Sequence, residues 1–217
     1  MANYWEYNGT IHIKESPLRG LTGMGGGAVM SSQSSSGNTW THNSSYSGFT
    51  TGVRIDGGSV IDEDWAENMQ ELTFQWEVYV NSGASSNSWH IQVTPGWDTD
   101  AGGLLIGIQG TWKVSIAGPQ LGGYGYTSTN DLPGQTWTEC RYCFMASALH
   151  AGNNAKQRVY YGDTSQGEQT THNQSYITFD TGIWGGAGRQ SPNTSFTTAF
   201  SGSIRNLKLT DTYAATF

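Results

Sequence analysis

The chain closes on Phe200-Ser-Gly-Ser-Ile-Arg-Asn-Leu-Lys-Leu-Thr-Asp211. Phe200, Gly202 and Ile204 fall at period two, and Leu207 and Leu209 follow. Successive side chains of a strand point to opposite faces, so this spacing predicts a closing β-strand with one apolar face.

Upstream the same period is stronger. In Glu71-Leu-Thr-Phe-Gln-Trp-Glu-Val-Tyr-Val80, five apolar residues (Leu72, Phe74, Trp76, Val78, Val80) share one face. Residues 88–94 repeat the pattern, with Trp89, Ile91 and Val93 inward and His90 an ordinary polar residue on the outer face. Leu104, Ile106 and Ile108 alternate into Gln109-Gly110-Thr111, and Trp112, Val114 and Ile116 alternate out of it, which predicts a hairpin. Pro133-Gly134 marks a turn before a strand at 137–145. Residues 156–161 and 176–179 read as shorter strands, and 9–14 and 52–55 as weaker ones.

Composition agrees with an all-β chain. Charged residues make up 12%, against about 25% in ordinary domains. Solubility therefore rests on hydroxyl and amide groups, while nine Trp, eleven Tyr and seven Phe supply core bulk. With a net charge of −7 and no basic stripe, the chain is not expected to bind nucleic acid. No signal peptide is visible at Met1-Ala-Asn-Tyr-Trp-Glu, and no apolar run is long enough to insert in a membrane.

Cys140 and Cys143 form a C-x-x-C. On a strand, three residues span about 10 Å, whereas a disulfide needs Cα atoms roughly 4.4–6.8 Å apart. Two reduced structural thiols on opposite faces are expected.

Several segments resemble the laminin-G, or concanavalin A-like, family: Glu71–Val80, the hairpin at 103–116, Leu132-Pro-Gly-Gln-Thr-Trp137 and the closing run at 200–211. The resemblance covers residues 53–211. It implies a two-sheet antiparallel β-sandwich (jelly roll) over 53–217, with 1–52 as an N-terminal arm or extra strands of one structural unit. It implies no activity, because that fold carries lectins, adhesion modules, hydrolases, lyases and viral structural proteins.

Candidate sites follow from residue chemistry. Trp97-Asp98-Thr99-Asp100 reads as a loop in which Asp98 and Asp100 are candidate calcium ligands and Trp97 a candidate sugar platform. Local turn hydrogen bonding explains the same aspartates without a metal, so no resident cofactor other than calcium is expected. Tyr124, Tyr126 and Trp184 stand beside glycines and suit carbohydrate or protein contact. Asp62-Glu63-Asp64-Trp65-Ala66-Glu67 approximates the E-x-D-x-x-E strand of laminarinase-type hydrolases. Asp replaces the first Glu there, and the run lies in a polar loop, so an enzyme is not expected. His12, His42, His90, His150 and His172 are scattered, with no nucleophile elbow. Gly23, Gly25 and Ala28 lack the strand-before, helix-after context of a nucleotide site.

The resulting expectation is a non-enzymatic structural or adhesion protein. Its foremost form is a virion component (a bacteriophage capsid-decoration, tail or fibre protein) made in the host cytoplasm. Such a protein would bind other virion proteins or itself as a homo-oligomer, and contact glycans. A carbohydrate-binding lectin module is the alternative, and a polysaccharide hydrolase or lyase the third.

Overall fold

Alternation along Glu71–Val80 becomes a central strand with a neighbour on each side. The computed structural model describes residues 4–7, 10–13, 37–50, 52–57, 64–85, 88–93, 103–118, 123–150, 154–179, 182–186, 199–214 and 216–217. In chain order the strands are β1 (Tyr4–Tyr7), β2 (Thr10–Ile13), β3 (Thr39–Ser47), β4 (Val53–Arg54), β5 (Glu71–Val80), β6 (Ser88–Val93) and β7 (Leu104–Gln109). They continue as β8 (Lys113–Gly118), β9 (Gly123–Asp131), β10 (Thr138–Met145), β11 (Ala155–Tyr161), β12 (Thr164–His172), β13 (Ile183–Gly185) and β14 (Gly202–Thr210).

The chain divides into two units, Met1–Ser35 and Ser36–Phe217. In the first, β1 and β2 form an antiparallel hairpin registered from Tyr4↔Ile13 to Tyr7↔Thr10. The second is a sandwich of two antiparallel six-stranded sheets, which bears out the all-β expectation. Sheet I runs β12-β11-β10-β5-β14-β3, and sheet II runs β4-β13-β6-β7-β8-β9. Thr39–Ser47 lies within the stretch read as arm or extra strands and is the terminal strand of sheet I. The run at 176–179 makes only an isolated bridge, Met69↔Ile177, although Ile177 and Phe179 are buried.

The core lies between the sheets. Leu72, Phe74 and Trp76 of β5 are fully buried there, against Ile91 and Val93 of β6 and Ile106 of β7. Phe74 stacks 5.6 Å from Trp76 and tilts 5.4 Å from Phe179. Each such burial is worth about 1.5–3 kcal/mol.

The closing strand meets this core through a change of phase. Ile204 and Leu207 are both fully buried although three apart. The register of β14 against β3 and β5 shifts at this point, and Asn206 between them takes φ +55°. A bulge returns Leu207 and Leu209 to the inner face. Gly202 is required for a different reason. A Cβ there would collide with the Phe200 ring and the Tyr79 carbonyl oxygen.

A second bulge corrects the alternation expected for β6. Its register against β7 shifts between Trp89 and Ile91. Trp89 therefore faces outward opposite Gly107, and His90 turns inward beside Ile91, 0% exposed. The His90 ring sits 5.2 Å from Phe200 and 6.0 Å from Trp76. Neither of its nitrogens has a hydrogen-bond partner, and burial holds its pKa down to about 3.

Opposite the edge formed by β3 and β4, polar groups join the sheets. Tyr126 Oη donates to the Gln166 carbonyl (2.8 Å), as does Thr129 Oγ1 (2.9 Å), and Asn130 Nδ2 donates to Gln166 Oε1 (3.0 Å). On the outer face of sheet I, Thr73 Oγ1 donates to the Thr212 carbonyl (2.7 Å), holding the C-terminal residues against β5. Cys140 and Cys143 are free and buried, on opposite faces of β10. Burial pushes both thiols above their ordinary pKa, so neither is a ready nucleophile.

Two measurements check this packing. Gly202→Ala is expected to cost about 1–3 kcal/mol in urea unfolding, the usual range for forcing extra volume into a filled core. A cost within a few tenths would show that Phe200 and β14 yield freely. For His90, the folded pKa lies below the unfolded value, so the unfolded chain binds the extra proton. Stability is then complete above about pH 6.5 and falls as the pH drops toward 3, by up to about 1.4 kcal/mol per unit. His90→Phe is expected to flatten that slope between pH 6.5 and 4.5, and an equal slope in both proteins would refute the assignment.

Candidate functional site

The outer face of sheet II gathers aromatic rings, amides and hydroxyls. Its strands place residues side by side, because directly opposed residues share a face. One row reads Arg54, Trp184, Gln92, Leu105 and Ala117 across β4, β13, β6, β7 and β8. The next reads Trp89, Gly107, Ser115 and Thr127. The bulge at His90 puts Trp89 in this second row.

Trp89 lies flat against the sheet because Gly107 has no side chain. A Cβ at Gly107 would stand 2.5 Å from Cε3 and 3.1 Å from Cδ2 of the indole. Trp89 and Trp184 are both half-buried. Gln92 and Ser115 are each 1% exposed, so their side chains are covered, and the two tryptophans are the partly open groups of these two rows. The Ser115 hydroxyl donates to the Tyr126 carbonyl (3.3 Å).

Arg54 brings the cation at this edge, already engaged. Its Nε and Nη2 donate to the two oxygens of Asp56 at 2.8 and 3.1 Å. The Asp56 side chain is fully buried, whereas that of Arg54 is 30% exposed. Such a bidentate pair fixes the guanidinium in place and offsets its charge. The described part of the face thus offers two half-buried indole rings beside an arginine that is already paired.

The aromatic candidates separate. Trp184 belongs to strand β13 rather than a loop and joins the face. Tyr126 also lies on a strand, β9, but on its inner face, 1% exposed. It is a core residue whose hydroxyl ties the sheets together, and its ring is closed to a sugar; burial raises its pKa to about 12. The Tyr124 backbone is part of β9, and its side chain lies outside the described residues. Trp97, Asp98 and Asp100 lie outside them too, as do Asp62 and Glu63. Asp64–Ala66 is a single 3-10 turn, and Glu67 after it is exposed. Among the described residues, no three His, Cys, Asp or Glu side chains gather as metal ligands. Sequence reasoning missed Trp89, whose outward aim depends on the bulge, and Arg54, whose partner Asp56 sits two residues away in a weakly patterned stretch.

No known protein family matches the chain, and no curated protein matches it in sequence. Solved structures do match in fold. A sialidase CBM40 domain from Ruminococcus gnavus, bound to α2,3-sialyllactose, superposes with a TM-score of 0.50 at 12% identity, covering 79% of this chain and 92% of that one. A putative carbohydrate-binding protein from Bacteroides ovatus gives 0.50 at 12% identity, over 72% of this chain and 41% of that one. The NanB sialidase from Streptococcus pneumoniae gives 0.54 at 12% identity over 81% of this chain, which spans only 26% of the enzyme. These likenesses support a two-sheet jelly-roll β-sandwich as the fold. None of the three is a virus-particle protein, so they lend no support to the virion expectation.

Proposed function

We propose that the chain is a non-catalytic glycan-binding sandwich that holds its ligand on the outer face of sheet II. One observation carries this: Trp89 is laid over Gly107 on the same face as Trp184, and both rings are partly open. Flat, partly open indole rings match the apolar faces of a sugar. The Ruminococcus gnavus domain of similar fold is bound to a sialylated sugar, and the Bacteroides ovatus protein is a putative carbohydrate binder, which supports the ligand class. With Arg54 already satisfied by Asp56, a neutral sugar fits the described residues better than an acidic one. Asp98 and Asp100 remain a proposal for calcium, to be tested by thermal shift with added calcium.

A glycan array followed by calorimetry on the best ligand tests this. Trp89→Ala and Trp184→Ala are each expected to weaken binding roughly tenfold or more, as for aromatic anchors at other interfaces. Tyr126→Phe, which removes a buried hydroxyl on the inner face, is expected to lower stability but keep wild-type affinity. Absence of glycan binding, or folded alanine variants that bind like the wild type, would overturn the proposal. Release of reducing sugar from the ligand would replace it with a hydrolase.

A further inference from the structure

Strand β6 satisfies more than one register. In the structure Trp89 opposes Gly107 and Ile91 opposes Ile106, with His90 the extra residue between them. A regular ladder continued from Ile91 would instead oppose His90 to Gly107 and Trp89 to Ile108, where Ser88 now stands. Trp89, Ile91 and Val93 would then form one inward set at period two, and His90 would face out. A slip of one residue therefore exchanges the ring that lies in the core with the ring that lies on the outer face.

Contacts on both faces favour the bulged form. A Cβ at Gly107 would strike the Trp89 indole at 2.5 Å and the Ser88 carbonyl oxygen at 2.6 Å, so that glycine admits this register. The Gly186 N–H donates to the His90 carbonyl at 2.9 Å, and Phe200 and Trp76 pack on the imidazole. Against these stands the loss of hydration at both His90 nitrogens and at Trp76 Nε1, none of which has a hydrogen-bond partner.

The balance depends on the charge of the ring. Among the described residues, no group facing it could receive an imidazolium. β5 turns Glu71, Glu77 and Tyr79 to the outer face of sheet I, and β14 turns Arg205 and Lys208 the same way. β7 and β13, on either side of β6, carry no titratable residue. Burial is the whole cause of the lowered His90 pKa of about 3. An added proton thus penalises the bulged form and spares the regular one, in which His90 reaches the outer face. Since the bulged form holds its pKa below the ordinary value of about 6.5, it prevails at neutral pH and loses ground as the pH falls toward 3.

We propose that β6 is an acid-operated register switch: a proton on His90 expels the bulge, sends the imidazole out over Gly107 and turns Trp89 in beside Ile108. Acid thereby withdraws a ring from the outer face of sheet II. The consequence for a bound sugar rests on the glycan reading, whereas the change of register does not.

Cross-strand proton contacts in NMR spectra of the full-length protein without sugar test this, from about pH 7 down to about pH 4, within the span between the ordinary and buried values of the histidine. The Trp89–Gly107 contact is expected to give way to His90–Gly107 and Trp89–Ile108 contacts, in step with the His90 ring shifts, while the pairing of β5 with β14 persists. His90→Phe is expected to keep Trp89 on Gly107 throughout. Gly107→Ala, which crowds the bulged form, is expected to change register at a higher pH than the wild type. A wild type that keeps the Trp89–Gly107 contact until the whole sandwich unfolds would overturn the proposal. So would a His90→Phe protein that changes register like the wild type, or a folded Gly107→Ala protein that changes no earlier. If Gly107→Ala misfolds, the wild type and His90→Phe decide. With a glycan in hand, wild-type affinity is expected to drop about tenfold or more across the change, the loss of one aromatic anchor, and to hold in His90→Phe. An equal drop in both proteins overturns the switch and leaves the glycan reading standing. Absence of any glycan binding overturns that reading, and the NMR contacts still decide the switch.

Discussion

Side-chain parity is the constraint on which this sandwich rests. Each strand has two faces, and a slip of one residue exchanges them. The two sheets hold together only if every strand turns its apolar set inward at once. β5 does so without correction, from Leu72 to Val80. β14 and β6 do not, and each spends one residue to recover. On β14 the left-handed Asn206 lets Ile204 and Leu207 both point inward, and its side chain then donates to Glu77 Oε1 at 2.6 Å. On β6 the shift turns His90 and Ile91 inward together and sends Trp89 out. The same device that completes the core therefore also equips the outer face. A strictly regular β6 would bury Trp89 and leave that face without the ring that lies on Gly107.

The inward turn of His90 has an energetic cost that the surroundings must offset. A buried imidazole without hydrogen-bond partners loses hydration that packing must outweigh. Trp76 Nε1 beside it is likewise without a partner. Aromatic contacts to Phe200 and Trp76 supply the compensation for the neutral ring, and burial adds a desolvation cost that keeps it neutral. In a chain with few charges, polar demand is otherwise met by neutral groups, as in the tyrosine, threonine and asparagine bonds to Gln166. Charges cluster instead on the outer face of sheet I, where Arg205 pairs with Glu77 and lies 4.0 Å over the Trp137 ring.

Much of the fold was legible because period-two spacing is a direct consequence of strand geometry. β5, the hairpin of β7 and β8, and β14 all follow from it. What escaped were the departures from period two. A bulge leaves no composition signature at His90, since Trp89, Ile91 and Val93 look like a normal inward set. Tyr126 misled for a related reason: Gly123 and Gly125 suggested a loop, yet the segment pairs with β8 and Tyr126 stands opposite Ile116 on the inner face. The candidate site was less legible than the fold because its residues come from strands spread over the sequence. Trp184 was recognisable as an aromatic beside glycine. Its neighbours Gln92 and Arg54 carried no mark of their own.

Edges complete the logic of the architecture. A two-sheet sandwich has four terminal strands, and each exposes backbone groups unless something intervenes. Here β9 and β12 answer one another, exchanging side-chain-to-backbone bonds across the gap between the sheets. On the other side β4 is too short to recruit a neighbour. β3 is longer, and it departs from a regular ladder where its register against β14 shifts between Ser45 and His42. Its inner residues pack on the core, and Gly57 admits the His42 ring, since a Cβ there would stand 2.8 Å from Cε1. The strand is thereby held rigid by its own sheet while its far edge stays chemically bland.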